Sequence, residues 1–401
     1  MIYLDNNATT QPARAVIDAI TRGMIEVWGN PSSVHASGQA ARHAVEEARE
    51  EVASLIGCTP REVIFTSGGT ESCNLALRGS LGGREGRSVI VTTHLEHTAI
   101  RDCARVCAAN EGGAQRWRGH CEVEWLATDK GLVDMGALER VLESRSREVA
   151  VVSVMWANNE TGIVQPIAEI ASLCRRHGVR FHSDATQWVG KMPTQLGGLD
   201  VDLLTLSAHK FHGPKGVGAL YCRRGTSLDA QILGGHQERD RRGGTENVPG
   251  IIGLGIAARL AAEWLKREPH ERVRLGSLRD HFERTVCGAI ERAQVIGARE
   301  PRLWNTSTIA FGRLQAEAML VALSAAGLCA SAGAACSSGS LDPSPVLIAM
   351  GVHPELAHGA IRFSLSRNTT ERELVDAARI VIDMVNTVAK SMPASDLPTG
   401  H

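Results

Sequence analysis

Ser207-Ala208-His209-Lys210-Phe211-His212-Gly213-Pro214-Lys215-Gly216 follows the apolar run Val201-Asp202-Leu203-Leu204-Thr205-Leu206. A run that short, closed by a Gly-Pro-Lys-Gly turn, reads as a buried strand with Lys210 just past its carboxyl end. In an open α/β sheet that edge is where ligands bind. A lysine held there in partly dry surroundings loses its proton readily and becomes an amine nucleophile, fit to form a Schiff base. A lysine in a turn is ordinarily a solvated surface group, so the meaning of Lys210 depends on its companions.

Strand and helix patterns alternate around it from about residue 40 to 220, which predicts an α/β fold with a mostly parallel sheet covered by helices. Strands are expected at 62–66, 88–93, 149–155, 179–182 and 201–206, with helices at 39–56 and 167–177, the second stopped by Gly178. From about Val248 the texture changes to a long Ala/Leu-rich helix, then mixed segments and a final helix from Glu371. This shift predicts a large domain over 15–255 and a small domain formed by 1–14 and 256–401.

With 401 residues, 43% of them hydrophobic, the chain can bury a large core. Its 43 basic and 44 acidic residues nearly cancel, so neither nucleic acid nor an anionic membrane is expected as a direct partner. No apolar run approaches a membrane span and the start lacks a secretory pattern, so a cytoplasmic location is expected. The ten cysteines are scattered without a Cys-x-x-Cys pair, which argues against a zinc ribbon or a disulfide framework. Lysine is scarce, with Lys130, Lys191, Lys210, Lys215, Lys266 and Lys390 the full set.

Ser67-Gly68-Gly69-Thr70-Glu71-Ser72 follows a strand and opens a helical pattern. Small residues there let the backbone approach an anion, making either a phosphate cradle or a simple tight turn. His182-Ser183-Asp184-Ala185-Thr186-Gln187 leaves a strand at the same edge. A carboxylate so placed is a turn former or the partner of a protonated ring nitrogen, which a pyridoxal cofactor needs in order to act as an electron sink. His94-Leu95-Glu96-His97 has no zincin spacing, so either histidine is a loop residue or a ring-stacking proton shuttle. Cys336 lies among small residues in Ser331-Ala332-Gly333-Ala334-Ala335-Cys336-Ser337-Ser338-Gly339-Ser340, the composition of a mobile loop in which a thiolate can react. Arg362 interrupts the apolar run Ala360-Ile361-Arg362-Phe363-Ser364 and calls for a carboxylate, structural or from a ligand.

Together these pieces resemble the cysteine desulfurases, pyridoxal-phosphate enzymes of the class V aminotransferase-like group. The similarity runs from Tyr3-Leu4-Asp5-Asn6-Asn7-Ala8-Thr9-Thr10 to about residue 385. It points to the NifS branch through Met155-Trp156-Ala157-Asn158-Asn159-Glu160-Thr161-Gly162 and the run from Gly234-Gly235-His236-Gln237-Glu238-Arg239 to Gly244-Thr245-Glu246-Asn247. The resemblance implies a fold-type-I transferase: a large domain with a mostly parallel seven-stranded sheet, and a smaller α+β domain carrying a mobile nucleophile loop at about 330–343. It makes Lys210 the Schiff-base lysine and His97 the ring-stacking acid/base, and it pairs Asp184 with the pyridine nitrogen and Gln187 with the ring hydroxyl. Gly69, Thr70, Ser207 and His209 would hold the phosphate, joined by Thr245 from the second subunit of a homodimer. Asn159 and Arg362 would hold the carboxylate of L-cysteine. Cys336 would accept the sulfur as a persulfide, for delivery to an acceptor or iron-sulfur scaffold protein. No intrinsic metal is implied beyond cluster contact through that persulfide.

The chain departs from the branch in the nucleophile loop, where Ala332 and Ala334 replace serines of an SSGSACTS pattern and a serine follows in place of threonine. Asp342 stands where glutamate is usual. Altered loop hydration or rate is expected, not loss of the nucleophile. The same fold also serves selenocysteine lyases and an aminotransferase releasing pyruvate from alanine; a cysteine in a small-residue segment favours sulfur transfer over transamination. A non-catalytic persulfide or cluster-assembly scaffold is disfavoured by the full set of Lys210, Asp184, His97 and Arg362.

Overall fold

A computed structural model of the chain describes residues 1–82, 86–108, 121–333 and 343–391. Two compact units emerge, one of Thr10–Asn158 with Val164–Pro269, the other of Met1–Thr9, Asn159–Ile163 and His270–His401.

The larger unit is built on seven strands: β1 (Val63–Thr66), β2 (Val89–Thr93), β3 (Glu122–Leu126), β4 (Val149–Ser153), β5 (Phe181–Asp184), β6 (Leu203–Ser207) and β7 (Gly218–Cys222). Their spatial order is β1-β7-β6-β5-β4-β2-β3. β7 is antiparallel to both its neighbours, and every other pairing is parallel. All residues of β1, β2, β4, β5, β6 and β7 are buried. Strands covered on both faces read as continuous apolar runs, which is why the sequence announces them so clearly.

Helices α1 (Arg14–Glu26), α2 (Ala36–Ile56), α3 (Gly69–Gly82), α4 (Thr98–Ala108), α5 (Met135–Arg145), α6 (Ile167–Arg176) and α7 (Val248–Arg267) accompany the sheet. In α2 the buried Ala41, Val45, Ala48 and Val52 recur at helical spacing, and the helix ends at the left-handed Gly57. α7 is capped by the Asn247 side chain and runs unbroken through residue 255, where composition places a domain boundary. Ile251, Leu254, Ala257, Ala258 and Ala261 of α7 share one core with Val16, Val45, Ala48 and Val52, so the helix belongs wholly to the larger unit. Its Ala/Leu texture reflects burial, not a change of domain. By length and composition it is the one membrane-span candidate among the described residues, yet half of its apolar window is buried inside the protein.

The smaller unit holds β8 (Ala293–Val295), β9 (Thr306–Phe311), β10 (Ser331–Ala332) and β11 (Ala360–Ser364), in the order β8-β9-β11-β10, all antiparallel. It also contains α8 (Pro269–Ala289), α9 (Ala316–Ala325) and α10 (Glu371–Ser391). Phe282 of α8 meets Phe363 of β11 edge to face, with ring centroids 5.1 Å apart. The N-terminal strand Ile2–Tyr3 pairs in parallel with Leu328–Cys329. Asn159–Ile163 joins this unit although it lies between β4 and β5 in sequence, an excursion that composition alone does not register.

His182 ties the middle of the large sheet together. Its ring is fully buried, with Nδ1 2.9 Å from Ser153 Oγ on β4 and Nε2 3.0 Å from Thr205 Oγ1 on β6. Burial pushes its pKa down to about 4, against the partial opposition of Asp184. The unfolded chain therefore binds a proton that the folded chain refuses, so this stability is present above the unfolded value near 6.5 and is lost as pH falls toward 4. The loss should amount to on the order of 3 kcal/mol. Urea unfolding at stepped pH should show this fall, and His182→Asn, which cannot titrate, should flatten it; equal slopes in both proteins would remove His182 as the cause.

Candidate active site

Lys210 closes a single 3-10 turn, Ala208–Lys210, directly after β6. Three backbone contacts fix this turn: Phe211 N–H and Gly213 N–H donate to Ala208 O, and Ala208 N–H donates to Val217 O. Thr10 adds a clamp from the start of the unit. Its N–H and Oγ1 donate to His209 O, and Oγ1 accepts from His212 N–H at 2.7 Å. Half-buried Lys210 thus projects from a turn held on both sides by hydrogen bonds.

Asp184 ends β5, the neighbour of β6, and is buried. Its Oδ1 accepts from Thr186 N–H at 3.0 Å, which orients the carboxylate. One turn on, Lys191 Nζ donates to Gln187 Oε1 at 2.6 Å and so fixes which end of that amide faces which way. His97 follows β2 at the head of α4, and its Nδ1 accepts from Ala99 N–H at 3.1 Å. The proton of the neutral ring therefore sits on Nε2. Burial holds the His97 pKa below its ordinary value, Asp184 pulls it up, and Lys210 and Arg101 push it down. Those influences bring His97, Asp184 and Lys210 within electrostatic reach of one another. His94, the other candidate, is exposed and stacks on Trp125 with ring centroids 4.3 Å apart. The two histidines of the motif are thus separated by their surroundings.

Gly69 opens α3, with Thr70 exposed in its first turn. A Cβ built on Gly69 would lie 3.1 Å from Thr186 Oγ1 and 3.7 Å from Ser207 Cβ, so these three residues share one small space. Thr186 Oγ1 is buried there without a hydrogen-bond partner. Nothing in the sequence marks Thr186; only the sheet register makes it a neighbour of Gly69. His209 is driven down to about 4, chiefly by burial and further by Lys210, Lys215 and Lys191, so that corner collects cations and a neutral ring. Thr245 is exposed and borders a small cavity with Ser67 and Gly216 of its own chain. Its loop is tied to the head of α3 by Arg242, whose Nε donates to Glu71 Oε1 at 2.9 Å. Although burial raises the Glu71 pKa, hydrogen bonds from Arg242 and Ser67 hold it below the usual range.

In the smaller unit, Arg362 sits mid-strand on β11, opposite Thr308 and Ser331, and only 3% of it is exposed. Its NH1 donates to Asn159 O at 3.0 Å and its NH2 to Asp5 Oδ1 at 2.8 Å. Nε of Arg362 and Oδ1 of Asn159 are buried without partners. Asn7 Nδ2 donates to the same Asn159 carbonyl and to Thr306 Oγ1, which fastens the N-terminal segment to β9. Cys336, with Ala334 and Asp342, lies outside the described residues. The described stems on either side converge on Glu160: Ser344 Oγ donates to its Oε2 at 2.5 Å, and Gly333 lies against the same carboxylate. Burial pushes the thiols of Cys73, Cys174 and Cys222 above the ordinary thiol range, as for small hydrophobes in a core.

The sheet carries a lysine, a carboxylate and the glycine-led head of α3 at the carboxyl ends of its strands. The sequence pattern of the aminotransferase class-V family matches residues 2–377, and the chain is a fold-type-I, pyridoxal-phosphate-dependent member of that class. It is 46% identical over 396 residues to a cysteine desulfurase of Bradyrhizobium diazoefficiens, covering 98% of this chain and 97% of that one. It is 42% identical over 393 residues to cysteine desulfurase NifS of Azotobacter vinelandii, covering 98% and 94%. A solved NifS-like protein superposes with a TM-score of 0.86 at 33% identity, over 96% of this chain and 99% of the other. The chain belongs to the cysteine desulfurase family.

The unpartnered Thr186 hydroxyl beside the Gly69 backbone fits the phosphate of the cofactor. Thr186→Val keeps the shape and removes the hydroxyl, so it should weaken pyridoxal phosphate binding about tenfold while leaving the cofactor-free protein as stable or slightly more so. Equilibrium dialysis and thermal melting measure the two effects separately; unchanged affinity would take Thr186 out of the cradle.

Proposed function

We propose that this chain removes sulfur from L-cysteine, leaving L-alanine and a persulfide on Cys336 that is handed to an acceptor protein, with iron-sulfur cluster assembly as its destination. The observation that carries the reading is the clustering of His97, Asp184 and Lys210 at one sheet edge, with Thr186 and Ser207 packed against Gly69 at the head of α3. Lys210, Asp184, Gln187, Gly69, Thr70, Ser207 and His209 would hold pyridoxal phosphate, with His97 stacked on its ring. When bound, the cofactor supplies an electron sink that tolerates negative charge at the substrate Cα.

Arg362 and Asn159 hold the substrate carboxylate and so fix which bond at Cα is presented for cleavage. The Lys210 amine takes the Cα proton. The Cys336 thiolate attacks the substrate sulfur: an S–S bond forms, the C–S bond breaks, and a proton takes the place of sulfur on Cβ. His97 suits that exchange because it is held toward its neutral form: its Nδ1, whose lone pair accepts from Ala99 N–H, is the atom that can take the substrate thiol proton, and the imidazolium so formed can return a proton from Nε2. Cysteine plus one enzyme thiol gives alanine plus one enzyme persulfide, so this half-reaction balances without an outside oxidant or reductant. We further propose a homodimer in which Thr245 serves the phosphate site of the second subunit, and a cytoplasmic setting that keeps the thiols reduced.

Incubation with L-cysteine and a thiol reductant should release sulfide and alanine in equal amounts. Cys336→Ala should abolish sulfide release yet keep the visible absorption of the lysine-bound cofactor, and Lys210→Ala should lose that absorption. Sulfide release persisting in Cys336→Ala would exclude the persulfide route.

A further inference from the structure

Arg362 is buried, and a guanidinium taken from water needs a countercharge. Asp5 supplies it at 2.8 Å through NH2, while the Asn159 carbonyl occupies NH1 at 3.0 Å. The guanidinium has five N–H donors in a rigid plane. With each terminal nitrogen engaged, the group cannot rotate in its plane without breaking a charge-assisted bond. Its Nε–H is left buried and unsatisfied. An unmet buried donor costs about 1–3 kcal/mol, so such a donor marks a place for a ligand acceptor. Asn159, whose backbone carbonyl already holds Arg362, carries a buried unpartnered atom of the opposite kind, the acceptor Oδ1, which calls for a donor, so the Arg362 Nε–H is the donor in this cluster that a carboxylate would meet. Asp5 is itself held in place: Ala8 N–H donates to its carbonyl, its backbone bridges to Ser364 on β11, and its side chain is one-fifth exposed.

We propose that Asp5 is a positioning residue for substrate selection, one that turns the Arg362 guanidinium so that its Nε edge is offered to the α-carboxylate of an amino acid. This rests on the reading of Arg362 as the carboxylate holder. Asp5 contributes through geometry rather than charge, since its negative charge alone would repel a carboxylate. The two effects have opposite signs and are therefore separable. A neutral residue that keeps the acceptor oxygen should preserve the orientation, and one without it should not.

The test compares L-cysteine with L-cysteinamide, which lacks the carboxylate, in the holoenzyme. Asp5→Ala should raise KM for L-cysteine about tenfold, the loss expected for one charge-assisted hydrogen bond, and leave KM for L-cysteinamide within about twofold. Asp5→Asn should recover most of the loss. Calorimetric binding of L-alanine, which involves no turnover, should weaken in the same order. Should Asp5→Ala fail to fold, Asp5→Ser, whose hydroxyl is too short to reach Arg362, carries the same expectation. Tighter cysteine binding in both the alanine and asparagine variants would show repulsion dominating and overturn the proposal, as would equal losses for both substrates. Arg362→Ala is the control. If it abolishes the preference for L-cysteine over L-cysteinamide while Asp5→Ala and Asp5→Ser do not alter it, Asp5 alone is wrong. If Arg362→Ala leaves the preference intact, the carboxylate reading of Arg362 falls, and Asp5 with it.

Discussion

The cofactor edge depends on a contact that leaves no room for a side chain. Gly218 at the start of β7 stands in register with Ser207 at the end of β6 and with Thr66 at the end of β1. A Cβ at residue 218 would lie 2.7 Å from Leu206 O and 2.8 Å from Gly68 Cα. The antiparallel β7 can therefore slip between β6 and β1 and still let the Gly68-Gly69 turn close down over it. That closure puts the head of α3 beside Ser207, three residues before Lys210. A methyl group at 218 would push the turn away and separate the head of α3 from the lysine, with no change to either set of residues.

Orientation at this edge comes from neutral hydrogen-bonding groups more than from ion pairs. His182 links β4 and β6 across β5, and Asp184 is two residues further along the same strand, paired in register with Thr205. The Asp184 backbone carbonyl accepts from Trp156 N–H, and its carboxylate accepts from Thr186 N–H. The loop bearing His97 is held in a similar way, by Glu96 Oε1 accepting from Met155 N–H and by Asn158 Nδ2 donating to Leu95 O. Burial keeps His97, His182 and His209 toward their neutral forms. The charges left at the edge are then those a pyridinium and a phosphate would meet.

What the sequence made legible follows from local physics. Continuous apolar runs announced the buried strands, and Lys210, Asp184 and the glycine pair could be placed at their carboxyl ends because each follows such a run directly. Thr186 and Asp5 do not stand out in the sequence, since the contacts that single them out are with neighbours far away in it: Gly69 for the first, Arg362 for the second. Choosing His97 over His94 needed the resemblance, because nothing local says that one ring will stack on Trp125. The expected boundary near 255 falls inside α7, because an apolar helix packed on α1 and α2 has the same composition as one that begins a new domain.

The turn before Thr245 is the least readable segment and the most informative about what the fold tolerates. Glu238, Arg239 and Asp240 all have left-handed backbones, with φ of 48°, 59° and 63°. For side chains with a Cβ this costs roughly 1–2 kcal/mol per residue, so a propensity argument would never place three in a row. Glu238 shows what offsets the cost. Its buried carboxylate receives NH1 and NH2 of Arg49 at 2.7 and 2.9 Å and the N–H of Phe65 at 3.0 Å, while Arg49 also lies over the Phe65 ring. Breaking such a buried pair typically costs about 3–5 kcal/mol, comparable with the backbone strain. Arg242, two residues beyond the strained run, is in turn bound to Glu71 on α3. Strain that persists only because its surroundings over-determine it is characteristic of ligand clamps. Here the strained run and the Arg242–Glu71 pair anchor the segment that leads to the exposed Thr245.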